Sequence, residues 1–196
     1  MPSISIDVNG TRVATIGLSG TQLVDVSVHG ALDRMPKAAL SATGGNFEEG
    51  GCGYLIWIDE VALLPGEVVR VSLNEFCDVA DQGKTIEELY PDEEPSGRSD
   101  FTISDDMAAE IRSRPRLHEA FLVQAGTSPG QQAEAASDEL NTDFRFGFIW
   151  DSSRPTQARV RLATYCLDDV LARTGGTAHL QTTLSFGDSA SFSLVR

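Results

Sequence analysis

The chain has 196 residues, enough for one large domain or two small ones. Its 41% hydrophobic content excludes a disordered polypeptide, yet no apolar run nears the roughly 20 residues that span a bilayer. A net charge of −14 argues against nucleic acid and anionic membrane surfaces as partners.

The opening MPSISIDVNG lacks the basic and apolar regions of a signal peptide, so the expected compartment is the cytoplasm. Ile4, Ile6 and Val8 alternate with polar residues as a half-buried strand does. Asn9-Gly10 then separates that run from Val13–Leu18, which predicts a hairpin on a type I′ turn. Val24, Val26 and Val28 mark a third strand. Lys37–Thr43 fits either a short strand or one helical turn between Pro36 and Gly44. Tyr54–Ile58 and Val68–Leu73 flank Leu64-Pro65-Gly66-Glu67, a type II turn pattern, and read as a second hairpin. Asp59-Glu60 reads as the polar end of its first strand.

Glu75–Glu110 follows and is the most uneven stretch of the chain. It carries twelve acids against Lys84 and Arg98, a local charge of −10. Thr85-Ile86-Glu87-Glu88 matches a capping box, and Ser104-Asp105-Asp106 opens a better helix that Pro115 stops. Arg112, Arg114 and Arg116 form a basic cluster, expected to pair with the acids of the preceding helix and loop. Gly126–Thr142 is rich in Gly, Ser, Gln and Ala and reads as a loop. Phe144, Phe146 and Phe148 then alternate with Arg145 and Gly147 in the clearest strand of the second half. Val160 and Leu162 continue a strand, Asp168 caps a short helix ended by Gly175, and Leu180–Leu184 with Phe192–Val195 read as a last hairpin around Gly187-Asp188.

These elements predict a mainly β, sandwich-like protein of antiparallel hairpins, with two or three short helices in its middle and C-terminal thirds. Residues 1–196 form one domain, with an N-terminal β unit (1–74), an acidic insert (75–142) and a C-terminal β unit (143–196) as sub-units. The two ends share a pattern. Leu63-Leu64-Pro65-Gly66-Glu67 with Val71-Ser72-Leu73 aligns with Leu184-Ser185-Phe186-Gly187-Asp188 with Phe192-Ser193-Leu194. Placing Leu32 over Leu167 extends the match but sets Arg159 and Arg161 against Val24 and Val26, which reverses the buried face unless a bulge intervenes. Chance similarity of turn sequences is therefore the preferred reading.

Chemical motifs are sparse. Gly83-Lys84-Thr85 has only part of a phosphate loop, and Asp78 and Asp81 stand where phosphate would sit. Gly187-Asp188-Ser189 reads as a turn rather than a nucleophile, and no spacing singles out His29, His118 or His179 as a base. Cys52, Cys77 and Cys166 are odd in number and widely spaced, so neither a disulfide framework nor a metal site is expected. Trp57 and Trp150 fit core positions better than a ligand cleft. No catalytic residue, metal or cofactor is nominated.

The expected function is a non-catalytic acidic module that docks a basic protein. Its partner-binding residues would be Asp78, Asp81, Glu87, Glu88, Asp92, Glu93 and Glu94. Inhibitors of the immunity-protein type use the same physics against basic toxins. The alternatives are a structural component of a phage or secretion-type assembly, where self-association into a homo-oligomer would be expected, or a hydrolase with a cleft between the β units.

Overall fold

The computed structural model describes residues 1–92, 103–128 and 130–196. In chain order the strands are β1 (Ser3–Val8), β2 (Thr11–Gly17), β3 (Leu23–Ala31), β4 (Ala38–Asn46), β5 (Gly53–Leu63) and β6 (Val68–Asn74). Helices α1 (Ile86–Leu89) and α2 (Asp105–Ser113) come next, then β7 (Leu122–Thr127), β8 (Gln132–Ala136), β9 (Asp143–Asp151) and β10 (Gln157–Tyr165). Helix α3 (Leu167–Ala172), β11 (Thr177–Ser185) and β12 (Ser189–Leu194) complete the chain. The strands form two antiparallel six-stranded sheets, ordered β2-β1-β6-β12-β7-β8 and β11-β10-β9-β3-β4-β5. The architecture is thus mainly β and sandwich-like, with three short helices.

The strand order is a palindrome. β1-β2, β3-β4-β5 and β6 recur as β7-β8, β9-β10-β11 and β12, and the halves meet at β6/β12 in one sheet and β3/β9 in the other. The register repeats with the topology: Ile4 pairs with Leu73 as Val123 pairs with Leu194. Gly30 pairs with Ala38 as Trp150 pairs with Ala158. The turn similarity noticed at Leu63–Glu67 and Leu184–Asp188 is part of this repeat. Gly66 (φ 90°) donates its N–H to Leu194 O at 2.7 Å, and Gly187 (φ 88°) donates to Leu73 O at 2.8 Å. Glu67 Oε2 accepts from Leu64 N at 2.8 Å, and Asp188 Oδ2 accepts from Ser185 N at 2.9 Å. The chance reading therefore fails at these turns. The Leu32–Leu167 alignment was the misleading element: the repeat that places Gly30–Ala38 over Trp150–Ala158 makes Val24, Val26 and Val28 the counterparts, not the pairing partners, of Phe144, Phe146 and Phe148, and no face is reversed.

The two turns do not close hairpins. β5 and β11 lie in one sheet and β6 and β12 in the other, so each turn arches from sheet to sheet. The turn residues fix the local bend, not the sheet each arm joins. Asn9 (φ 52°) and Gly10 (φ 78°) do form the expected I′ hairpin between β1 and β2. Lys37–Thr43 lies mostly in β4, where tertiary pairing decides an ambiguous local sequence. Asp59-Glu60 does not end its strand: Glu60 adopts φ 43° at a bulge, and β5 continues to Leu63. Gly126–Thr142 holds the edge strand β8, whose Gln-Ala-Glu-Ala-Ala has little strand propensity and is held by pairing to β7. The cap of α3 is Cys166, not Asp168, and Arg173 takes the left-handed conformation (φ 54°, ψ 34°) ahead of Gly175.

The inner faces of the sheets form one apolar core. Phe144 and Phe146 both contact the Phe192 ring, with centroids 5.7 Å apart for Phe144–Phe192 and 5.5 Å for Phe146–Phe192. On the inner face of the β3/β9 seam four cross-strand pairs each join a smaller residue to a larger one: Val24 to Trp150, Val26 to Phe148, Val28 to Phe146, Gly30 to Phe144. Trp150 is a core residue as expected, while Trp57 is partly buried and its indole N–H reaches Asp81 O at 3.2 Å. Among the described residues no helix is long and apolar enough to cross a membrane.

Candidate functional site

The acidic segment runs along the open side of the sandwich beside β2 and β5. Asp81 pairs with Ile16 as an isolated bridge, and its carboxylate accepts from Thr15 N at 2.6 Å. Lys84 bridges Ile56 with backbone bonds of 2.8 and 2.9 Å. The segment therefore ties one sheet to the other. Thr85 and Glu88 make both arms of the capping box, at 3.3 and 2.9 Å, so Gly83-Lys84-Thr85 is a capped turn. Hydrogen bonds from its own backbone N–H and from Thr85 hold the exposed Glu87 carboxyl below the ordinary range. Tyr90 O–H donates to Asp59 on β5.

The predicted partner-binding residues thus divide. Asp81 and Glu88 each commit one carboxylate oxygen to a structural hydrogen bond. Asp78, Glu87 and Asp92 are exposed, and among the described residues none lies within ion-pair distance of a base. Glu93 and Glu94 lie outside the described residues. The basic cluster is engaged: Arg114 pairs with Glu110 (3.3 Å), Arg112 pairs with Asp168 on α3 (2.6 Å), and Arg116 donates to Glu139 O (3.1 Å).

A concavity of about 910 Å³ lies on the outer face of β9, β10 and β11. Strand alternation turns Phe144, Phe146 and Phe148 inward, so Arg145, Gly147 and Ile149 face out. Register then places Gly147 beside Arg161 and Ile149 beside Arg159. Arg154 from the β9–β10 turn and Arg173 from the end of α3 also line the groove. Gly147 leaves its floor open, since a Cβ there would meet nothing closer than Arg145 Nε at 3.9 Å. Arg145 pairs with Asp25, Arg159 contacts Asp151 at 3.4 Å, and Arg161 Nη2 donates to Gly175 O at 2.6 Å. Sequence reasoning missed this group because its members span Arg145 to Arg173 and only pairing register assembles them. The legible signal was the period of two in Arg159-x-Arg161 and Arg145-x-Gly147.

A second cleft of about 510 Å³ opens at one end of the sandwich, between the β3 end, α2 and α3. His29 and Asp143 lie there, with Tyr165 and Cys166. Burial lowers the His29 pKa, against the raising influence of Glu60, whose Oε1 is 3.5 Å from Nε2. Burial raises the Tyr165 hydroxyl, and the Asp143 charge adds to it. Cys166 Sγ lies 3.4 Å from Asp169, a carboxylate rather than a base-supporting histidine. Among the described residues, His118 binds Arg34 O and His179 binds Thr164 Oγ1, each at 2.8 Å, and no hydrogen bond or ion pair joins either to a serine or carboxylate. Among the described residues no cluster of three or more His, Cys, Asp or Glu is placed to hold a metal.

Asp143 gives this cleft a pH signature. Burial raises its pKa, and the Thr142 hydroxyl, 2.7 Å away, only partly offsets that. Between the ordinary carboxyl pKa and the raised one, the folded state binds more protons than the unfolded state, so Asp143 makes stability fall as pH rises through that window. Asp143→Asn is expected to raise stability at pH 7 relative to the parent and to leave it unchanged below the window. Urea unfolding across the acid-to-neutral range measures this, and a variant less stable at pH 7 contradicts it.

No protein-family model, curated protein or solved structure matches this chain.

Proposed function

We propose that this protein is a non-catalytic binding module that docks a basic protein surface through the face carrying Asp78, Glu87 and Asp92. The observation that supports this reading is the double anchoring of the segment at Asp81 and Lys84. It holds a strongly acidic stretch against two sheets, so little ordering entropy is lost on docking. The exposed carboxylates raise the rate of encounter with a cationic partner, in a manner that salt screens. An inhibitor of the immunity-protein type and a subunit of a larger assembly both fit that behaviour. The hydrolase alternative receives no support from His118 or His179, whose contacts are a backbone carbonyl and a threonine.

The test is capture from a host lysate on immobilised protein, beside the Asp78→Asn/Asp92→Asn variant. The parent is expected to retain basic proteins that elute as salt shortens the Debye length from about 10 Å to about 3 Å. The variant is expected to release them at lower salt. Equal retention of the same proteins by both removes the electrostatic reading.

A further inference from the structure

We infer that the arginine groove on the outer face of β9–β11 binds a small polyanion bearing phosphoryl or carboxylate groups. This goes beyond the acidic docking face, which lies at the opposite edge of the same sheet, by β5.

Five guanidiniums line the groove, with Asp169 the sole acid among them. That carboxylate is already held by Thr174 Oγ1 (2.7 Å) and Cys166 N (3.1 Å). Arg145 and Arg159 have carboxylate partners, and Arg161 is anchored on a carbonyl. Arg154 and Arg173 have no carboxylate within 4.0 Å among the described residues. Asp151 is shared between Arg159 and Arg154, so five guanidiniums face only Asp25, Asp151 and Asp169, a local excess of positive charge in a chain of net charge −14. All the groove's bases are arginine, whose planar fork matches both carboxylate and phosphate oxygens.

Arg173 carries a second indication. It occupies the left-handed helix cap at φ 54°, a place where glycine avoids the side-chain penalty. A guanidinium is kept over the groove at a position that backbone energetics assign to glycine.

The ligand is small rather than a nucleic acid. An ion inside the groove lies within about 10 Å of the guanidiniums, whereas a long polyanion must also cross the field of the remaining carboxylates. α3 and the Arg154 turn both contribute to the groove's lining, and its 910 Å³ suits a metabolite-sized anion.

Calorimetric titration of the full chain with pyrophosphate and with citrate tests this. Saturable binding of either probe supports the site, and the tighter of the two fixes phosphoryl or carboxylate as its preferred group. Two variants locate it without unfolding the protein. Arg173→Gly relieves the cap and is expected to weaken binding about tenfold while keeping or raising stability. Gly147→Val fills the floor, where a Cβ has room, and is expected to weaken binding by at least about tenfold with all arginines present. Absence of saturable binding for both probes overturns the inference, as does unchanged affinity in both variants. Tighter binding of a 20-mer polyuridine than of pyrophosphate overturns the assignment to a small ligand.

Discussion

Phe146→Ala is expected to lower the free energy of unfolding by about 3–5 kcal/mol, among the largest effects of any single substitution in this chain. Phe146 is fully buried, lies beside Val28 across the seam, and contacts Phe192 from the opposite sheet at 5.5 Å between ring centroids. It therefore touches both seams at once, because β12 pairs with β6 where the halves meet in the other sheet. Truncation removes apolar area and opens a void between two rigid sheets that relax little. The urea midpoint should fall with the slope preserved. A loss under about 1 kcal/mol means that the sheets close over the gap, contrary to the packing described.

Gly30→Ala is the opposite perturbation and is expected to cost about 3 kcal/mol or more, above the usual range for one added methyl. A Cβ at Gly30 would lie 2.2 Å from Lys37 O and 2.5 Å from two ring atoms of Phe144. Neither neighbour yields easily. The carbonyl belongs to the backbone just before β4, and Phe144 is pinned by Phe121 at 4.9 Å and Phe192 at 5.7 Å. Glycine in a strand marks such a close approach. Urea unfolding reads the loss, and near-ultraviolet circular dichroism reads any displacement of the aromatic cluster. A change within 0.5 kcal/mol would mean that the β3–β4 connection is far softer than its contacts indicate.

Local chemistry was legible wherever a residue's role is set by its neighbours in sequence. Asn9-Gly10, the Thr85–Glu88 box, the Ser104 cap and the Phe144–Phe148 alternation all form as their residue types dictate. Legibility failed where the answer depends on distant pairing. Gly66 and Gly187 specify bends, but sheet assignment comes from partners over a hundred positions away, such as Leu194 for Gly66. β8 has almost no strand propensity and exists because β7 offers it a ladder. The candidate sites divide in the same way. The acidic segment is contiguous and therefore legible, whereas the structural use of Asp81 depends on Thr15, far away in sequence. The groove's arginines come from two strands, a turn and a helix end, so no window of sequence contains them.

The small-to-large pairing along the β3/β9 seam has a consequence for how this chain recognises itself. Two copies of the first half, joined in the same way, would set Val24 against Gly30 and Val26 against Val28, leaving space. Two copies of the second would drive Phe144 into Trp150 and Phe146 into Phe148. Only the mixed union fills the available volume, so each half discriminates against its own kind as firmly as it selects the other.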